Sequence, residues 1–376
     1  MAGYLSAGAL LIGLTNLAFA KNSEKLRIAY FHTELSAEGP GLLLRDLTKA
    51  QLAEKHAAVL SVIASVAPDI LLLSGIDYDA HNSALYALRR RLTESGIHLP
   101  YAFAASSNRG VPTGLDFDGD GRFGEPEDAQ GYGAFRGAGG MALLSRYPVL
   151  EDRVQVFSTL LWADLPDANL PFAKDSAAAA RITLSASGHW DVPVRLPNGA
   201  ELNLLALHAS PPVFDGPDDR NGRRNADQIR FWVDYLNGWH PVRGSAEPPA
   251  NSVVLGTLNA DPEDGDARRS ALHALLRHPL LQDPEPGSMG GQTESLRQGG
   301  VNVSHQSPAS RDTVDWPDEG ARSPGNLRVD YVLPARSIEV VASGVYWPTT
   351  EPAARTAKKA SRHRLVWVDV APPPAP

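Results

Sequence analysis

The sequence predicts an α/β protein in which packed β-sheets carry helices on their outer surfaces. Short apolar segments typical of buried strands recur along the chain, whereas helical spacing of apolar residues is confined to a few segments. Many strands with few helices between them favour sheets that pack on each other. A chain of 376 residues, 43% hydrophobic and 21% charged, has the composition of a globular protein and can bury a substantial core.

Eight apolar runs predict the strands. The run at 26–31 reads as a buried strand, and the run at 70–73 is short and continuously apolar. The runs at 141–144 and 154–157 flank a turn at 145–148, so we expect them to pair. The other predicted strands are 202–207, 253–255, 328–333 and 365–370.

Three segments have the apolar spacing of helices. Residues 42–66 place leucine, valine and isoleucine at helical intervals and end before Pro68. Residues 84–95 form a basic amphipathic pattern that ends at Gly96, and residues 225–236 carry apolar side chains on one side. Long segments rich in glycine, proline and polar residues resist assignment, and we expect them to be functional or irregular: 110–140, 163–180 and 287–326.

Residues 1–20 predict a secretory signal peptide. An apolar stretch ends in the small-x-small pattern of Ala18 and Ala20, and a charged segment follows. No Lys or Arg lies near the start, which leaves an uncleaved membrane anchor as the alternative, although a stretch this short and rich in Ala and Gly spans a bilayer poorly. We expect a secreted or periplasmic protein with one domain at 21–370, no membrane span after signal removal, and a flexible proline-rich tail at 371–376.

Net charge and cysteine content limit the classes of function. The formal charge of -8 argues against nucleic acid and anionic membranes as general partners, although it leaves a local basic groove open. The chain has no cysteine, so its stability cannot rest on disulfides and thiol redox chemistry is excluded.

Four short segments resemble the active-site strands of the endonuclease/exonuclease/phosphatase superfamily, which has a deoxyribonuclease I-like fold. They are residues 27–32, 68–75, 256–262 and 361–363. Five further segments resemble a subgroup of secreted bacterial members: 110–121, 189–193, 211–217, 219–225 and 326–333. The resemblance covers nearly the whole chain after the signal peptide. It implies an α/β (α+β) fold, a four-layer sandwich of two packed mixed β-sheets flanked by helices.

The resemblance also implies a chemistry, which is metal-assisted phosphoester hydrolysis. In the family one or two Mg²⁺ ions neutralise the phosphate and help to generate the attacking hydroxide. A Glu and an Asn hold the metal through oxygen atoms, as hard cations require, and an Asp orients the water. One His aligned by an Asp contacts the phosphate or acts as general acid, while another His and an Asn bind the transition-state oxygens.

Only part of this machinery is present in the chain. The family positions that keep their residue types form the expected catalytic set: His208, Asn259, Asp330 and His363, with Asp261 beside Asn259. At four metal-site positions the family has Asn, Glu, Asp and Asp. At the same positions, in that order, this chain has His32, Gly75, Thr257 and Arg362, which the resemblance implies to be a degenerate metal site. These losses argue against Mg²⁺ at the cleft, and Arg362 would add a permanent positive charge there.

Three interpretations of the cleft stay open. A pseudoenzyme would bind phosphate or another anion without cleaving it, and its expected phosphate-binding residues are His208, Asn259, Arg362 and Arg223. A working phosphodiesterase or phosphatase would recruit other carboxylates for the lost ones, from a set of four candidates: Glu34, Asp77, Asp261 and Asp330. A new site for Zn²⁺ would use His32, His208 and His363.

A second candidate site is independent of the cleft. Residues 116–127 fit the calcium loop D-x-D-x-D-G-x5-E, with Gly121 at the sharp turn. The predicted Ca²⁺ ligands are Asp116, Asp118, Asp120, the backbone carbonyl of Arg122 and a bidentate Glu127. Neither flank has a helical pattern, so an acidic surface loop without an ion is the alternative.

The segment 219–225 is basic and lies shortly after His208. Its arginines, Arg223 among them, either form an anion-binding rim or belong to the first turn of the next helix, with Asn225 as its cap. The residues alone assign no role to the motif of His189, Trp190 and Asp191, although the subgroup carries a similar one.

Overall fold

The computed structural model describes residues 25–318, 320 and 323–375. The predicted signal peptide at 1–20 lies outside the described residues. Two large mixed sheets and seven helices form the framework of the described chain. This is the α/β architecture that the sequence predicts.

The first sheet contains six strands. In spatial order they are β14 (Val340–Tyr346), β15 (Leu365–Val370), β1 (Leu26–His32), β2 (Ile70–Ile76), β4 (Gly140–Ser145) and β3 (Tyr101–Phe103). Strands β1 and β2 are parallel at the centre of the sheet. Strand β15 is antiparallel to β1, and β4 is antiparallel to β2.

The second sheet contains five strands. In spatial order they are β13 (Asp330–Pro334), β10 (Ser252–Thr257), β7 (Glu201–His208), β6 (His189–Arg195) and β5 (Gln155–Val156). Strand β10 is parallel to β7 and antiparallel to β13. Two small antiparallel pairs complete the strands: β8 (Trp239–His240) with β9 (Gly244–Ser245), and β11 (Val314–Asp315) with β12 (Asn326–Leu327).

The helices supply the outer layers. They are α1 (Leu42–Thr48), α2 (Glu54–Val66), α3 (Ser83–Glu94), α4 (Arg220–Leu236), α5 (Arg269–Leu276), α6 (Met289–Gln298) and α7 (Ala353–Ala360). Helices α1, α2, α3 and α7 pack on the outer face of the first sheet. Helices α4 and α5 pack on the outer face of the second. Within the described chain, every helix is too short or too polar to cross a membrane.

One apolar core joins the inner faces of the two sheets. Tyr30 and Leu72 from the first sheet belong to the same buried cluster as Trp190, Leu204 and Val253 from the second. Alternate side chains of these central strands face the helices instead, because successive residues of a strand point to opposite faces. The central strands are therefore apolar on both faces, and the two sheets and two helical layers form four layers.

Two predicted helices differ from the structure in extent. The predicted helix 42–66 is two helices, because the backbone becomes extended at Lys49 and Ala53. The break lets Leu47 and Leu52 both pack on the outer core, although residues five apart on one helix point to different sides. The predicted helix 225–236 begins earlier, at Arg220.

One predicted strand pair and one unassigned segment also differ. The predicted strands 141–144 and 154–157 do not pair, because they supply β4 of the first sheet and β5 of the second. The connection between them crosses to β6, where the Leu150 N–H donates to the Pro193 carbonyl. The segment 287–326 contains α6, whose N-terminal cap is the Ser288 hydroxyl that accepts the Gly291 N–H.

Candidate functional site

Strand ends from both sheets meet at one cleft. Strand β1 ends at His32, and β7 ends at His208, which is in register with Thr257 at the end of β10. Thr257 is also in register with Asp330, the first residue of β13. His363 lies two residues before β15 and is bridged to β11. The two sheets thus bring together residues that are more than 300 positions apart in the chain.

Three histidines contact each other in the cleft. The His32 ring centroid lies 5.0 Å from that of His208 and 4.3 Å from that of His363. The Nδ1 atom of His363 is 2.8 Å from Oδ2 of the fully buried Asp330. This pairing fixes the His363 ring and leaves its Nε2 as the nitrogen for other partners.

The His32 ring occupies the space that a side chain at position 75 would need. Gly75 is in the left-handed region, with φ of 68°, and a Cβ atom there would lie 2.7 Å from both Cδ2 and Nε2 of His32. The backbone N–H of Glu34 would be 2.9 Å away. A carboxylate side chain at position 75 is therefore incompatible with the present position of His32.

Glu34 and Arg362 form an ion pair near His32. The guanidinium of Arg362 donates from Nε and Nη2 to Oε1 of Glu34, at 2.8 and 2.6 Å. The backbone N–H of Arg362 donates to Oε2 of the same carboxylate. Burial alone would raise the pKa of Glu34, but the hydrogen bonds and charge of Arg362 outweigh it and lower that pKa. Glu34 is thus an ionised partner of Arg362.

The other candidate substitute ligands are also engaged. Asp77 accepts hydrogen bonds from the Ser36 hydroxyl and from the backbone N–H groups of Ala37 and Gly139. Asp261 accepts four hydrogen bonds, three from backbone N–H groups and one from the Ser307 hydroxyl. Both carboxylates therefore hold loops together in this structure.

Burial makes His32 and His208 resist protonation. It lowers the pKa of His32 well below its ordinary value, and the charges of His363 and His208 lower it further. Burial followed by the charge of Arg109 has the same effect on the pKa of His208. The Nδ1 atoms of His32 and His208 are buried without a hydrogen-bond partner. Two imidazoles that favour the neutral form, each with a buried Nδ1, therefore lie side by side.

Arg109 is a cleft residue that the sequence did not single out. Its charge contributes to the lowered pKa of both His32 and His208, which places it close to them. Its Nε donates to the Tyr132 carbonyl, and a Cβ at Gly139 would lie 3.0 Å from its Cζ. Burial lowers the pKa of Arg109, and the negative charge of Asp77 opposes this effect. The sequence around Arg109 gives little indication that it lies at the cleft, because an Arg before a glycine in an irregular segment is common.

The predicted phosphate-binding residues have different surroundings. Asn259 lies in the left-handed region, with φ of 49°, and donates from Nδ2 to the Ala209 carbonyl at the end of β7. Arg223 instead donates to the Asp218 carbonyl and to Oδ1 of Asn169, so it joins two loops. Asn259 lies beside the cleft, whereas Arg223 is committed to loop contacts.

Asn225, the cap residue in one of the two interpretations of 219–225, does not cap α4. It is buried within the helix, and its Nδ2 donates to the carbonyls of Ser210 and Leu258. Asp219 occupies the N-cap position. At least one polar side chain of 219–225, that of Asn225, thus holds the helix against the strand ends.

The motif of His189, Trp190 and Asp191 is buried. His189 Nε2 contacts the Gln228 carbonyl of α4, and Trp190 lies in the inner core. Asp191 accepts hydrogen bonds from Asn203 and from the Tyr235 hydroxyl. These contacts fasten β6 to β7 and α4, so the motif has a structural explanation.

The predicted calcium loop brings three carboxylates together. Oxygen atoms of Asp116, Asp118 and Asp120 lie within 4.8 Å of one another. Asp116 accepts the N–H groups of Gly119 and Gly121, which shapes the loop. Glu127 is exposed and outside this group. Calcium binding at 116–127 stays a prediction.

Among the described residues, this trio is the one group of three carboxylate or imidazole ligand atoms at such separations. The three cleft histidines contact each other as rings, but their nitrogens do not form a comparable group. Zinc binding by His32, His208 and His363 would therefore require these side chains to move.

Comparison with known proteins agrees with the resemblance. A model described as "Endonuclease/Exonuclease/phosphatase family" matches residues 38–363. No curated protein matches the chain in sequence. The chain is similar in structure to an endonuclease/exonuclease/phosphatase from Beutenbergia cavernae DSM 12333, with 18% identity and a TM-score of 0.52, covering 94% of this chain and 72% of that one. The chain is also similar in structure to an endonuclease/exonuclease/phosphatase family protein from Leptotrichia buccalis C-1013-b, with 14% identity and a TM-score of 0.50, covering 91% of this chain and 98% of that one.

Proposed function

Because the chain belongs to the endonuclease/exonuclease/phosphatase family, we propose that it is a secreted member impaired in metal-dependent hydrolysis whose cleft binds a phosphate-containing anion. The observation that carries the proposal is the His32 ring lying over Gly75. It leaves no room for the main metal carboxylate of the family. With Arg362 bound to Glu34, the cleft lacks the oxygen ligands that Mg²⁺ requires.

The charge of the cleft favours an anion over a cation. Arg109 supplies a permanent positive charge beside His32 and His208. The two histidines have buried Nδ1 atoms without partners, and either ring can donate when it is protonated. Asn259 adds an amide at the rim. Hydrogen bonds between such donors and phosphate oxygens are charge-assisted and therefore strong.

The proposal predicts that affinity rises as the pH falls. The pKa values of His32 and His208 lie below the ordinary value in the free protein. A bound anion stabilises the imidazolium form and raises these pKa values, so binding takes up protons. Sulfate is the better probe of this linkage, because it keeps its charge where inorganic phosphate titrates.

The test is calorimetric titration of the mature protein with sulfate and with inorganic phosphate between pH 5 and 8. We expect the sulfate Kd to decrease as the pH falls. Arg109→Gln and His208→Ala should each weaken binding by about tenfold or more, since a hydrogen bond to a charged group contributes about 1.5–3 kcal/mol. The matched control is Arg90→Gln, on the exposed face of α3. Equal affinities in the Arg109 and Arg90 variants would overturn the proposal.

A working phosphodiesterase or phosphatase with rearranged ligands is the other outcome to test. Its assay is hydrolysis of bis(4-nitrophenyl) phosphate with Mg²⁺, Mn²⁺, Ca²⁺ or Zn²⁺. We expect no turnover above that of His208→Ala. Metal-dependent turnover that is lost in His208→Ala and His363→Ala and abolished by a chelator would show that the cleft has recruited new ligands.

Export is supported by the sequence of residues 1–20. The direct check is the N-terminal sequence of the protein recovered from the medium or periplasm. A first residue at Lys21 is expected, and retention of Met1 in a membrane fraction would favour the anchor.

A further inference from the structure

The second sheet carries a groove at the end that is remote from the cleft. Strands β5, β6 and β7 supply its floor, and the C-terminal end of α4 and the hairpin of β8 and β9 form walls. The groove has a volume of about 510 Å³, within the range of small-molecule sites. Asn203 lines it, whereas His208 ends the same strand at the cleft, about 17 Å further along. The polar residues of the floor are Gln155, Asp191, Asn203, Tyr235 and His240.

We propose that this groove binds a neutral saccharide, a ligand whose hydroxyl groups both donate and accept hydrogen bonds. The groove contains none of the cleft residues, so the site is independent of the anion-binding function. Three features carry the inference: the donors and acceptors on the groove floor, the balance of charge along the groove, and the small apolar side chains that line the rest of it.

Hydrogen bonds hold the polar side chains of the floor in place around a buried carboxyl group. Asp191 is 2% exposed and lies on the outer face of β6, because its neighbour Trp190 points into the inner core. Its Oδ1 accepts Asn203 Nδ2 at 2.7 Å, and its Oδ2 accepts the Tyr235 hydroxyl at 2.8 Å. Gln155 is in register with Asp191 and is itself held by a contact of 2.7 Å from its Oε1 to a histidine of the hairpin. The floor is therefore a fixed polar surface.

This floor keeps hydrogen-bonding capacity of both kinds. A carboxylate offers about four acceptor positions, and Asn203 and Tyr235 use two of those on Asp191. Beyond its bond to Asp191, the Asn203 amide has a second N–H donor and a carbonyl oxygen, and the Gln155 amide also has N–H donors. A hydroxyl group is both donor and acceptor, so neighbouring hydroxyls on one ligand match this mixed set.

Charges of both signs line the groove and nearly balance. Arg153 donates from Nη1 to both carboxylate oxygens of Glu201, at 2.8 and 2.7 Å, so these two charges neutralise each other. Arg243 and Glu247 are exposed at the rim and have opposite charges. The charge of Asp191 at the floor already has two donors. A ligand with a net charge of either sign therefore gains little, whereas a neutral polar ligand finds partners along the whole groove.

Small apolar residues line the remaining surface of the groove, among them Pro249, Ala250 and Pro374. Pro374 belongs to the proline-rich tail, which the sequence predicted to be flexible. The tail is held at the groove because Asn198 Nδ2 donates to the Pro373 carbonyl at 2.7 Å. Saccharide rings present C–H groups as well as hydroxyls, and burial of these groups against small apolar side chains is favourable.

The experiment is saturation-transfer-difference NMR on the mature protein with neutral and charged trisaccharides. The neutral probes are maltotriose, cellotriose, mannotriose and triacetylchitotriose. The charged probes of similar size are trigalacturonate, an anion, and fully deacetylated chitotriose, a cation. Each is present at about 10 mM, which fills a site whose Kd is millimolar. We expect transfer to at least one neutral trisaccharide and weaker transfer to both charged ones.

The variants locate the binding at the groove. Ala250→Trp places a large side chain on the groove surface and should abolish the transfer. Asn203→Leu removes the amide from the floor and should weaken binding by about tenfold, the loss expected for one or two hydrogen bonds. The matched control is Ala80→Trp, at an exposed alanine before α3. Near-ultraviolet circular dichroism shows whether each variant is folded, and Ala250→Trp alone decides if Asn203→Leu is not.

Each outcome supports the inference or overturns it. Absence of transfer to all four neutral trisaccharides would overturn it, and so would equal transfer in the native chain and in Ala250→Trp. Stronger binding of trigalacturonate or of deacetylated chitotriose would overturn the assignment to a neutral ligand. Sulfate titration of Ala250→Trp separates the two sites. An unchanged sulfate Kd in a variant that no longer binds saccharide supports a site outside the cleft, and loss of both activities in the folded variant contradicts it.

Discussion

His32, Gly75 and Arg362, three positions where the resemblance implies metal-site residues, contact each other or their near neighbours. His32 covers Gly75, and Arg362 binds Glu34, which lies two residues after His32. A ring cannot lie over position 75 unless that residue is glycine, and Glu34 has a cationic partner because position 362 is arginine. The replacements therefore depend on each other physically, and single reversions should be costly.

Gly75→Glu should lower the free energy of unfolding by about 2–4 kcal/mol, from overpacking against His32 together with a side chain at positive φ. The measurement is urea denaturation. The control is Gly96→Glu, since Gly96 also has positive φ but has open space around its Cβ position. The difference between the two variants measures the contacts of position 75 with the His32 ring and the Glu34 backbone nitrogen.

The double variant His32→Asn with Gly75→Glu completes this test. It should recover about 1–3 kcal/mol relative to Gly75→Glu alone, because the obstructing ring is gone while the backbone strain persists. If Gly75→Glu costs no more than Gly96→Glu, the ring does not restrict position 75 and the argument for its incompatibility with a carboxylate is wrong.

The sequence predicted the identity of the cleft residues better than their contacts. His208, Asp330 and His363 follow from motifs, and the structure brings them together as strand-end residues. Arg109 did not follow, because its importance depends on a glycine thirty positions later that lets it approach the histidines. Glu34 was a candidate ligand in the sequence, since nothing local reveals that Arg362 already binds it.

At the scale of elements, strands were predictable and helix boundaries were less so. Strands β1, β2, β7 and β15 are buried on both faces, so their apolar runs mark them clearly. The break between α1 and α2 left no sign in the periodicity, since apolar residues continue through it. Strand β5 pairs with β6, and the segment that connects β4 to β5 contacts β6 on the way. The sequence pattern of two apolar runs around a turn does not show such contacts.

The loop at 116–127 is the element whose function is most directly testable. Its three clustered carboxylates repel each other, and a bound Ca²⁺ would remove that repulsion. We expect Ca²⁺ at about ten times its Kd to raise the melting temperature by about 2 °C, because this excess contributes about 1.4 kcal/mol to a chain of this size. Scanning calorimetry with Ca²⁺ or with Mg²⁺ measures the shift.

The variants for this loop follow from its geometry. Asp116→Ala with Glu127→Ala should abolish the Ca²⁺-dependent shift, and Asp120→Ala should reduce it. Asp175→Ala, which removes an exposed acid outside the loop, should leave the shift unchanged. An unchanged shift in the Asp116 and Glu127 variant, or no shift in the native protein, would mean that the loop is an acidic turn without an ion.

At the scale of the whole molecule, the four-layer framework is compatible with both a working and a degraded cleft. The sheets hold the strand ends in register through their shared core, and the four positions where the resemblance implies metal-site residues lie at or near those ends. A substitution at these positions therefore changes the cleft without requiring a change in the core. Metal binding should accordingly be recoverable by restoring the cleft residues alone.

The variant His32→Asn, Gly75→Glu, Thr257→Asp and Arg362→Asp should bind Mn²⁺ in the cleft and hydrolyse bis(4-nitrophenyl) phosphate. It restores one amide and three carboxylates, the oxygen ligands that a hard cation needs. The control keeps Arg362 and changes the other three positions. It should bind Mn²⁺ more weakly, because the guanidinium remains beside Glu34 and contributes positive charge. Titration followed by electron paramagnetic resonance counts the bound ions. The folded fourfold variant could also bind no more Mn²⁺ than the native chain. In that case these four substitutions are not enough to make a metal site, and the loops that Asp77 and Asp261 hold together also prevent metal binding.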